Sequence, residues 1–445
     1  MRLRRRVGRS CDTAQSFPQP PFSGGCPHRL LAAMVPLVIL SQFFRSSIGV
    51  IAPNLMQDLS LSPDDLGLLA GSFFLIFAAL QLPIGILLDR FGGRRVLSSM
   101  MVLTVGGALA FAAAQSFGLL LVGRLLIGTG CAGLMIGSLT ILGRWYPPDR
   151  LAMAMAVLFA SANAGNLIAT LPLAAASSVW GWRATFAGLA VVSAALTLVF
   201  FSIVRDAPDA HGYHERRPES LPSVVAGVRE VFASRDLLHL LPMIAVGYAS
   251  TIAVLGVWGG PYLHEVYGLG QVARGKALSV MAMAMILGTL AYGPLDRRFD
   301  TRRGVVAAGA VGTIAVLAVL ASLADAGLWP VTLLLALFAF LSSYSLVVMA
   351  HGLALVPERL AGRGAAMLNA ALMGGAGLIQ TAIGYLMAAF PDRTGDAAAR
   401  PYALMFALIA LLTGGALLVY CGAKDVKPSE RKPARPPTTG HRDKE

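Results

Sequence analysis

The sequence predicts an all-α membrane protein whose twelve transmembrane helices form two pseudo-symmetric six-helix bundles. Three observations lead to this prediction. The chain of 445 residues is 56% hydrophobic and only 13% charged, whereas soluble domains carry about 25% charged residues. Its apolar runs are repeatedly long enough for a membrane helix, which needs about 20 residues. A polar segment, 205–236, divides these runs into two sets of six.

The predicted spans and the segments around them follow each other along the chain in a simple order. The spans are 30–54, 65–88, 96–114, 117–142, 151–176, 184–204, 237–262, 274–294, 304–323, 329–350, 364–389 and 402–422. The resulting domains are a flexible basic arm (1–29), an N-terminal bundle (30–204), a central linker (205–236), a C-terminal bundle (237–422) and a disordered tail (423–445). We expect the first apolar run to be retained as a helix, because it is longer than a signal-peptide core and more spans follow it.

The distribution of basic residues predicts the orientation of the chain. Twenty-nine of the 36 Lys and Arg residues fall in the arm, the tail and the loops on one side of the predicted spans, and five fall on the other side. Basic residues collect in cytoplasmic loops, so we expect both termini to be cytoplasmic in a bacterial-type inner (plasma) membrane. This pattern explains the net charge of +13 without a nucleic-acid partner.

The side chains that carry chemistry in enzymes form no recognisable group in this sequence. The four cysteines, Cys11, Cys26, Cys131 and Cys421, show neither metal-ligand nor disulfide spacing. We see no nucleophile–base arrangement either. We therefore expect no catalytic residues, no metal and no cofactor, and a protein that works as a monomer in the bilayer.

Two basic residues, Arg45 and Arg124, fall deep inside predicted spans, where no Asp, Glu or Lys is found. A charge at the centre of a membrane costs at least about 2.5–3.5 kcal/mol, so each arginine needs a partner. A guanidinium can hold a carboxylate through two parallel hydrogen bonds. Arg45 is thus either the counter-charge for an anion in a central cavity or a hydrogen-bond donor to a neighbouring helix. The matching position in the second half is Ala253, so the fold itself does not require the arginine.

The loop between the second and third spans carries the most specific motif, GILLDRFGGRR. Asp89 ends the second span, and Arg90, Arg94 and Arg95 follow closely. We expect these basic side chains to surround the carboxylate, which would hold helix ends together in one state and release them in another. Gly85 allows a neighbouring helix to approach closely.

This loop resembles the signature loop of the major facilitator superfamily: Gly, three residues, Asp-Arg, one residue, Gly, then basic residues. Gly92 fits the pattern, and Gly93 stands where the family usually has another basic residue. The second half contains an imperfect copy, GPLDRRFDTRR, whose Asp296 and Arg297 match the Asp-Arg pair. The resemblance assigns these residues to conformational gating.

Two further segments bear on the resemblance. RLLIGTG, which begins at Arg124, is similar to the family's Arg-x-x-x-Gly-x-Gly pattern in the fourth span. Arg124 is then either an anchor between helices or part of proton coupling or substrate passage. Span five has Asn163 and Asn166 where drug/proton antiporters have a Gly-Pro pair, which disfavours that class. The two asparagines share a helical face and bind either a ligand or a neighbouring helix.

The resemblance implies a secondary transporter with its substrate site between the halves near the middle of the membrane. Arg45 in the first span resembles the arrangement in the superfamily's anion/cation symporters. We therefore expect alternating-access transport of a small, carboxylate-like organic anion, coupled to protons. Further candidates for substrate contact are Gln42, Tyr248, Trp258, Tyr344, Asn369 and Gln380. The alternatives are an exporter of drugs or amphipathic compounds and a non-transporting receptor or scaffold.

Overall fold

The structure is a computed structural model that describes residues 27–206, 230, 234–357, 360–390 and 398–430. Within these residues all regular secondary structure is helical and no strand occurs, which confirms the predicted all-α membrane fold. The first helix begins at Pro27, slightly before the predicted end of the basic arm.

The N-terminal half consists of nine helices within the described residues. They are α1 (Pro27–Ser46), α2 (Ile48–Leu59), α3 (Pro63–Ala79), α4 (Gln81–Phe91), α5 (Gly93–Ala112), α6 (Phe117–Cys131), α7 (Leu134–Trp145), α8 (Pro148–Ile168) and α9 (Leu171–Ile203). Helix α3 begins with a capping box, in which Ser62 and Asp65 satisfy each other's backbone N–H groups. The start of this helix is therefore fixed locally by its own sequence.

The C-terminal half follows the same plan. Its α-helices are α10 (Arg235–Ala253), α11 (Gly259–Glu265), α12 (Gln271–Tyr292), α13 (Leu295–Arg298), α14 (Arg302–Ser322), α15 (Leu328–Leu341), α16 (Ser345–Leu355), α17 (Ala361–Ala388) and α18 (Ala399–Tyr420). A π-helical segment, Val254–Trp258, joins α10 to α11, and a short 3₁₀ turn, Ser342–Tyr344, joins α15 to α16.

Breaks in two predicted spans, the second and the fifth, affect the number of membrane-crossing helices. Within the described residues ten helical stretches are long and apolar enough to cross a membrane, four of which combine consecutive labelled helices (α6–α7, α10–α11, α12–α13 and α15–α16), and the bent pair α3 and α4 makes an eleventh. Predicted span five is interrupted, because Thr170 leaves helical geometry between α8 and α9 (φ −101°, ψ −105°). Helix α9 then runs through Gly181 (φ 75°) into the sixth span. The count of twelve stays a prediction.

The two ends of the bundle differ in charge. We call the end formed by residues 91–93, 203–206, 298–302 and 420–425 the basic end, and the end formed by residues 59–63, 113–116, 266–270 and 323–327 the opposite end.

Within the described residues the apolar core is divided into two clusters. One cluster runs through the N-terminal half and continues into α11 and α12, while a separate cluster, which includes Leu240, Val306 and Val348, fills the basic end of the C-terminal half.

Glycines bring the two halves into backbone contact along α3 and α17. A Cβ atom added at Gly67 would lie 2.6 Å from the Cα of Gly384, and one added at Gly71 would lie 2.7 Å from the carbonyl oxygen of Gly377. Such close approach through small residues is the usual way in which membrane helices associate. The halves are thus tightly joined from the opposite end inward.

The contact between the halves ends before the basic end is reached. The amide Nδ2 of Asn369 donates to Oε1 of Gln81 at 2.8 Å. One turn further along α4, a Cβ atom added at Gly85 would have no neighbouring atom within 4 Å. The space between the halves therefore opens at the basic end.

Polar contacts reinforce the closed opposite end. The Arg274 guanidinium at the start of α12 donates to Oδ1 of Asn54 at 3.1 Å and to the Val50 carbonyl at 3.4 Å, both in α2. The hydroxyls of Thr170 and Ser279 lie 2.9 Å apart, again across the two halves. These bonds must break if the opposite end is to open.

We predict that Gly71→Val pushes α3 and α17 apart where their backbones are in close contact. The added methyl groups would overlap Gly377 and Thr381, and overpacking of this kind costs about 1–3 kcal/mol. We expect a lower melting temperature for the purified protein than for Gly106→Val, since a Cβ at Gly106 meets no atom within 4 Å. Equal melting temperatures for the two variants would contradict the close contact.

We predict that Arg274→Ala shifts the protein toward a state open at the opposite end. The change removes hydrogen bonds from a buried guanidinium, so we expect the ratio of open to closed forms to rise about tenfold. Spin labels at Gln115 and Ser322 in a cysteine-free background would report the distance across this end. Arg183→Ala is the matched control, because its ion pair with Asp58 (3.2 Å) lies within the N-terminal half. The same distance distribution in both variants would contradict a role for the Arg274 hydrogen bonds in keeping the opposite end closed.

Candidate functional site

Arg45 bridges the two halves in the middle of the bundle. Its Nη1 atom lies 3.4 Å from the Tyr248 hydroxyl of α10, and its Cζ atom lies 4.9 Å from the Phe77 ring centroid. The Nε atom is buried without a hydrogen-bond partner. A guanidinium offers five N–H donors, so Arg45 retains capacity to bind an anion.

A break in the first span fixes the position of Arg45. Helix α1 ends at Ser46 and α2 begins at Ile48, and the Ser47 hydroxyl donates back to the Phe44 carbonyl at 3.1 Å. Nη1 of Arg124 donates to the same carbonyl at 2.6 Å. Neighbouring spans therefore hold the turn that carries Arg45.

Arg124 lies behind the first span and is completely buried. Its Cζ atom stacks 4.5 Å from the Phe73 ring centroid, while Nε and Nη2 have no hydrogen-bond partner. The bond to Phe44 supports the prediction of an anchor between helices. Nothing observed tests a part in proton coupling, which stays a prediction.

The two asparagines of α8 have different surroundings. Oδ1 of Asn166, which is buried, accepts a hydrogen bond of 2.7 Å from the Ser46 hydroxyl. Nδ2 of Asn163 bonds only within its own helix, to the Phe159 carbonyl at 3.4 Å. Asn166 therefore contacts the turn beside Arg45, whereas Asn163 faces a partly open surface.

The remaining candidates for substrate contact fall into two groups. Tyr248 and Asn369 reach across to the N-terminal half, and Gln42 lies half-buried one turn before Arg45. Trp258, Tyr344 and Gln380 are completely buried, and their Nε1, hydroxyl and amide atoms have no hydrogen-bond partner. Buried polar atoms normally find partners, so these three are expected to acquire them in another state or with a ligand. None of these roles is tested by the structure.

Sequence reasoning missed two residues of this region. Gln81 accepts from Asn369 and donates to the Phe77 carbonyl at 3.1 Å. A lone glutamine inside the apolar run of span two was the signal that could have revealed it. Phe77 had no such signal, because one phenylalanine among several apolar residues looks like ordinary core.

In the first loop motif, the basic side chains do not hold the Asp89 carboxylate in this structure. Asp89 is exposed and forms no hydrogen bond or ion pair with any described residue. Arg94 does not surround it as expected, because its guanidinium bonds the Phe201 carbonyl at 2.6 and 2.9 Å. Gly92 has φ 81°, a conformation that favours glycine. Gating by Asp89, Arg90 and Arg95 stays a prediction.

The second loop is engaged within its own half. Asp296 pairs with Arg302 at 3.4 Å, and Arg297 beside it is exposed. Asp425, beyond the last span, accepts hydrogen bonds from the Thr301 hydroxyl at 2.5 Å and from the Arg302 and Arg303 N–H groups at 3.1 Å. Residues 423–430 of the predicted disordered tail are thus docked, and the rest of that prediction lies outside the described residues.

Within each half, the helix ends at the basic end are held together by the same arrangement of hydrogen bonds. Asp206, after the sixth span, accepts from the Arg94 N–H at 2.7 Å, as Asp425 does at α14. The preceding carbonyl, of Arg205, accepts from the Trp145 indole at 2.9 Å, and the carbonyl of Lys424 lies 2.9 Å from Nε2 of His351. We call these two arrangements the Asp206 clasp and the Asp425 clasp. They support the predicted repeat of the halves.

We predict that the Asp425 clasp weakens in acid. Burial raises the pKa of Asp425, but the hydrogen bonds from Thr301, Arg303 and Arg302 outweigh it, so the net pKa lies below the ordinary value. The stabilisation is then complete above the ordinary carboxyl pKa of about 3.9 and is lost as the pH falls through the lower, folded-state value. The melting-temperature difference between the wild type and Asp425→Asn should be full at pH 7 and shrink below about pH 4. A difference independent of pH would contradict this.

These features together define a polytopic membrane transporter: two helical halves are joined at one end, open at the other, and meet at a central arginine. The Major Facilitator Superfamily model matches residues 34–380. The chain belongs to this superfamily, whose members are transporters and not enzymes.

Two relatives and one solved structure are similar to this chain. It is 26% identical over 412 residues to the probable sulfoacetate transporter SauU of Cupriavidus necator, covering 88% of this chain and 92% of that protein. It is 25% identical to the membrane sensor protein UhpC of Salmonella typhimurium, covering 61% of this chain and 65% of that one. A crystal structure of a bacterial homologue of the human lysosomal transporter Spinster, inward-facing and unoccupied, matches with a TM-score of 0.70 at 20% identity, covering 89% and 98% of the two chains. This last likeness shows the fold.

Proposed function

We propose that the protein is a secondary active transporter of a small organic anion, with Arg45 as the counter-charge. The observation that carries the proposal is the unused hydrogen-bonding capacity of this guanidinium, which sits between the halves with a buried, unpartnered Nε atom. A guanidinium recognises carboxylate or sulfonate-type oxygens through paired N–H groups. SauU is named for an organic anion, which agrees with this class of substrate.

The proposed cycle is alternating access. The substrate enters from the basic end, which we assign to the cytoplasm of a bacterial-type inner membrane on the distribution of basic residues. The halves then rock so that the Gly71–Gly377 contact and the Arg274 bonds open while Asp89 gains a partner at the basic end. A monomer contains every element of this cycle.

Proton coupling is part of the proposal. Asp89 and Asp296 lie at the basic end, and no Asp or Glu lies in the middle of a described span. A proton carrier of the usual carboxylate kind is therefore not supplied by those spans.

A sensor that binds an anion without moving it is the second candidate. The similarity of this chain to the membrane sensor protein UhpC favours it. Export of drugs or amphipathic cations fits less well, because an unpaired guanidinium repels cations. The sensor and the transporter differ in a single measurement: both bind an anion, and only the transporter moves it into sealed vesicles.

We predict that Arg45→Ala reduces uptake of organic anions into proteoliposomes at least tenfold. Hydrogen bonds to charged groups contribute about 1.5–3 kcal/mol, which corresponds to roughly a tenfold to hundredfold change in affinity. Sulfoacetate and small carboxylates are the first substrates to try. Arg45→Lys should retain part of the uptake, since the charge remains but the paired geometry is lost.

Arg183→Ala serves as the control, because Arg183 lies at the surface of the opposite end in an ion pair with Asp58. Uptake should match the wild type in this variant. Unchanged affinity and rate in Arg45→Ala, with a normal melting temperature, would rule out Arg45 as the counter-charge. Binding without uptake in the wild type would favour the sensor.

A further inference from the structure

The middle of the described spans holds two positive charges and no negative one. Arg45 of α1 and Arg124 of α6 both lie there, and this part of the described helices contains no Asp, Glu or Lys. Arg124 is completely buried and Arg45 is half-buried. Neither forms an ion pair with a described residue. Because an arginine side chain does not lose its proton in proteins, both charges remain in the apolar interior.

The two guanidinium groups lie in one region, although they come from different spans. Nη1 of Arg124 donates at 2.6 Å to the carbonyl of Phe44, the residue before Arg45. Each group also stacks on a ring of α3. Cζ of Arg124 lies 4.5 Å from the Phe73 centroid, and Cζ of Arg45 lies 4.9 Å from the Phe77 centroid. The two ring centroids are 6.1 Å apart. A substrate bound at Arg45 is therefore also attracted by the charge of Arg124.

The other buried cations of the described residues lie near the ends of the bundle and do not add to this central charge. Arg302 at the basic end pairs with Asp296. Arg274 lies in the first turn of α12 at the opposite end, where its guanidinium bonds Asn54 and backbone carbonyls. Acidic side chains in or next to that end are Asp58, Asp64, Asp65, Glu265 and Asp325. The excess of positive charge is thus confined to the middle.

Closing the site over a substrate raises the free energy of any charge that is left uncompensated. In the open state water screens the charges, whereas a closed site between apolar helices screens them poorly. Each uncompensated charge in the middle of a membrane reduces the population of the closed state roughly a hundredfold. A dianion balances both guanidinium groups, a monoanion leaves one positive charge, and a neutral molecule leaves two.

We infer that the transported substrate is a dianion, a small molecule with two acidic groups that both stay ionised while the site is closed. This inference rests on the proposed function and narrows its substrate class. One acidic group binds the Arg45 guanidinium through paired N–H groups, next to the Tyr248 hydroxyl, which lies 3.4 Å from Nη1. The other acidic group balances the charge of Arg124 across the turn of the first span, without touching that buried side chain.

The same charge balance affects the return of the empty protein. Without a substrate the closed site holds both uncompensated charges, so the empty protein passes between its two open states more slowly than the loaded one. A dianion inside the vesicle speeds uptake, because it carries the protein back through a neutral closed state. We expect uptake into proteoliposomes that are preloaded with unlabelled dianion to be at least tenfold faster than uptake into vesicles that contain potassium chloride.

The main experiment compares compounds that share a skeleton and differ in charge. Sulfoacetate and malonate are the dianions, their half-amides are the monoanions, and malonamide is the neutral compound. Uptake by the purified full-length protein is measured at pH 7.5, and the vesicles are preloaded with the unlabelled dianion of each series so that the return step is the same. Carboxyl groups ionise near pH 4 and sulfonates at still lower pH. We expect at least one dianion to enter roughly a hundredfold faster than its half-amide, and malonamide not to enter.

A carboxylate introduced beside the two guanidinium groups should change this preference. The buried Cys131 thiol of α6 interacts electrostatically with both Arg45 and Arg124, so Cys131→Asp leaves one net positive charge in this region. We expect the dianion to lose its advantage and the half-amide to become the faster substrate. Cys131→Asn is the matched control, because it has the same size without the charge, and it should keep the wild-type preference.

A second variant tests the charge count from the other side. Arg124→Gln removes one positive charge and keeps an amide donor for the Phe44 carbonyl, so we expect the same loss of the dianion's advantage as in Cys131→Asp. Melting temperatures show which variants are folded, and either folded variant decides the test.

The outcomes separate the inference from the proposed function. Half-amides that enter the wild type as fast as the dianions overturn the inference and leave an organic-anion transporter in place. An unchanged dianion preference in folded Cys131→Asp or Arg124→Gln also overturns it, as does uptake that preloading does not accelerate. Absence of uptake for every acid, with no effect of any acid on the melting temperature, contradicts the proposed function itself, and the inference fails with it.

Discussion

A positive charge in the middle of a membrane has to be held by its surroundings, and much of the central architecture serves Arg45. The first span breaks at Ser47, and the Phe44 carbonyl accepts hydrogen bonds from Ser47 and Arg124. On the other side of this turn, Asn166 accepts a hydrogen bond from the Ser46 hydroxyl. These contacts fix the backbone of the charged turn and leave the guanidinium itself incompletely paired. Such a rigid support with a free binding group is what a preorganised site requires.

The packing between the halves complements this site. Glycines draw α3 and α17 together from the opposite end, and the Gln81–Asn369 bond marks where they part. Arg45 and Tyr248 also meet at this transition between joined and separated halves. A ligand placed there touches both halves at the point where relative rotation changes their distance. Its binding can therefore bias the equilibrium between the two open states.

Much of this architecture could be predicted from the sequence, because length and apolar composition determine whether a helix can cross a membrane. The basic loops predicted the two kinds of end, and the lone arginines predicted where polar contacts cluster. The break of span five at Thr170 had a signal in the sequence, because Pro172 lies in the first turn of α9 and proline interrupts a helix that would continue through it. The direction of the Arg94 side chain and the docking of Asp425 depend on tertiary contacts more than 100 residues apart in sequence.

The clasps at the basic end have nearly the same geometry but different donors. In the first half the indole of Trp145 points to the Arg205 carbonyl, and in the second the imidazole of His351 occupies the corresponding place. Because a carbonyl oxygen only accepts, Nε2 of His351 must carry the hydrogen, and Nδ1 lies 2.8 Å from the Tyr420 hydroxyl. An indole has no second ring nitrogen, whereas an imidazole can gain a proton without losing its bond to the carbonyl. The two halves thus share the same kind of clasp. Of the two, only the Asp425 clasp holds its carbonyl with a side chain that can change its charge.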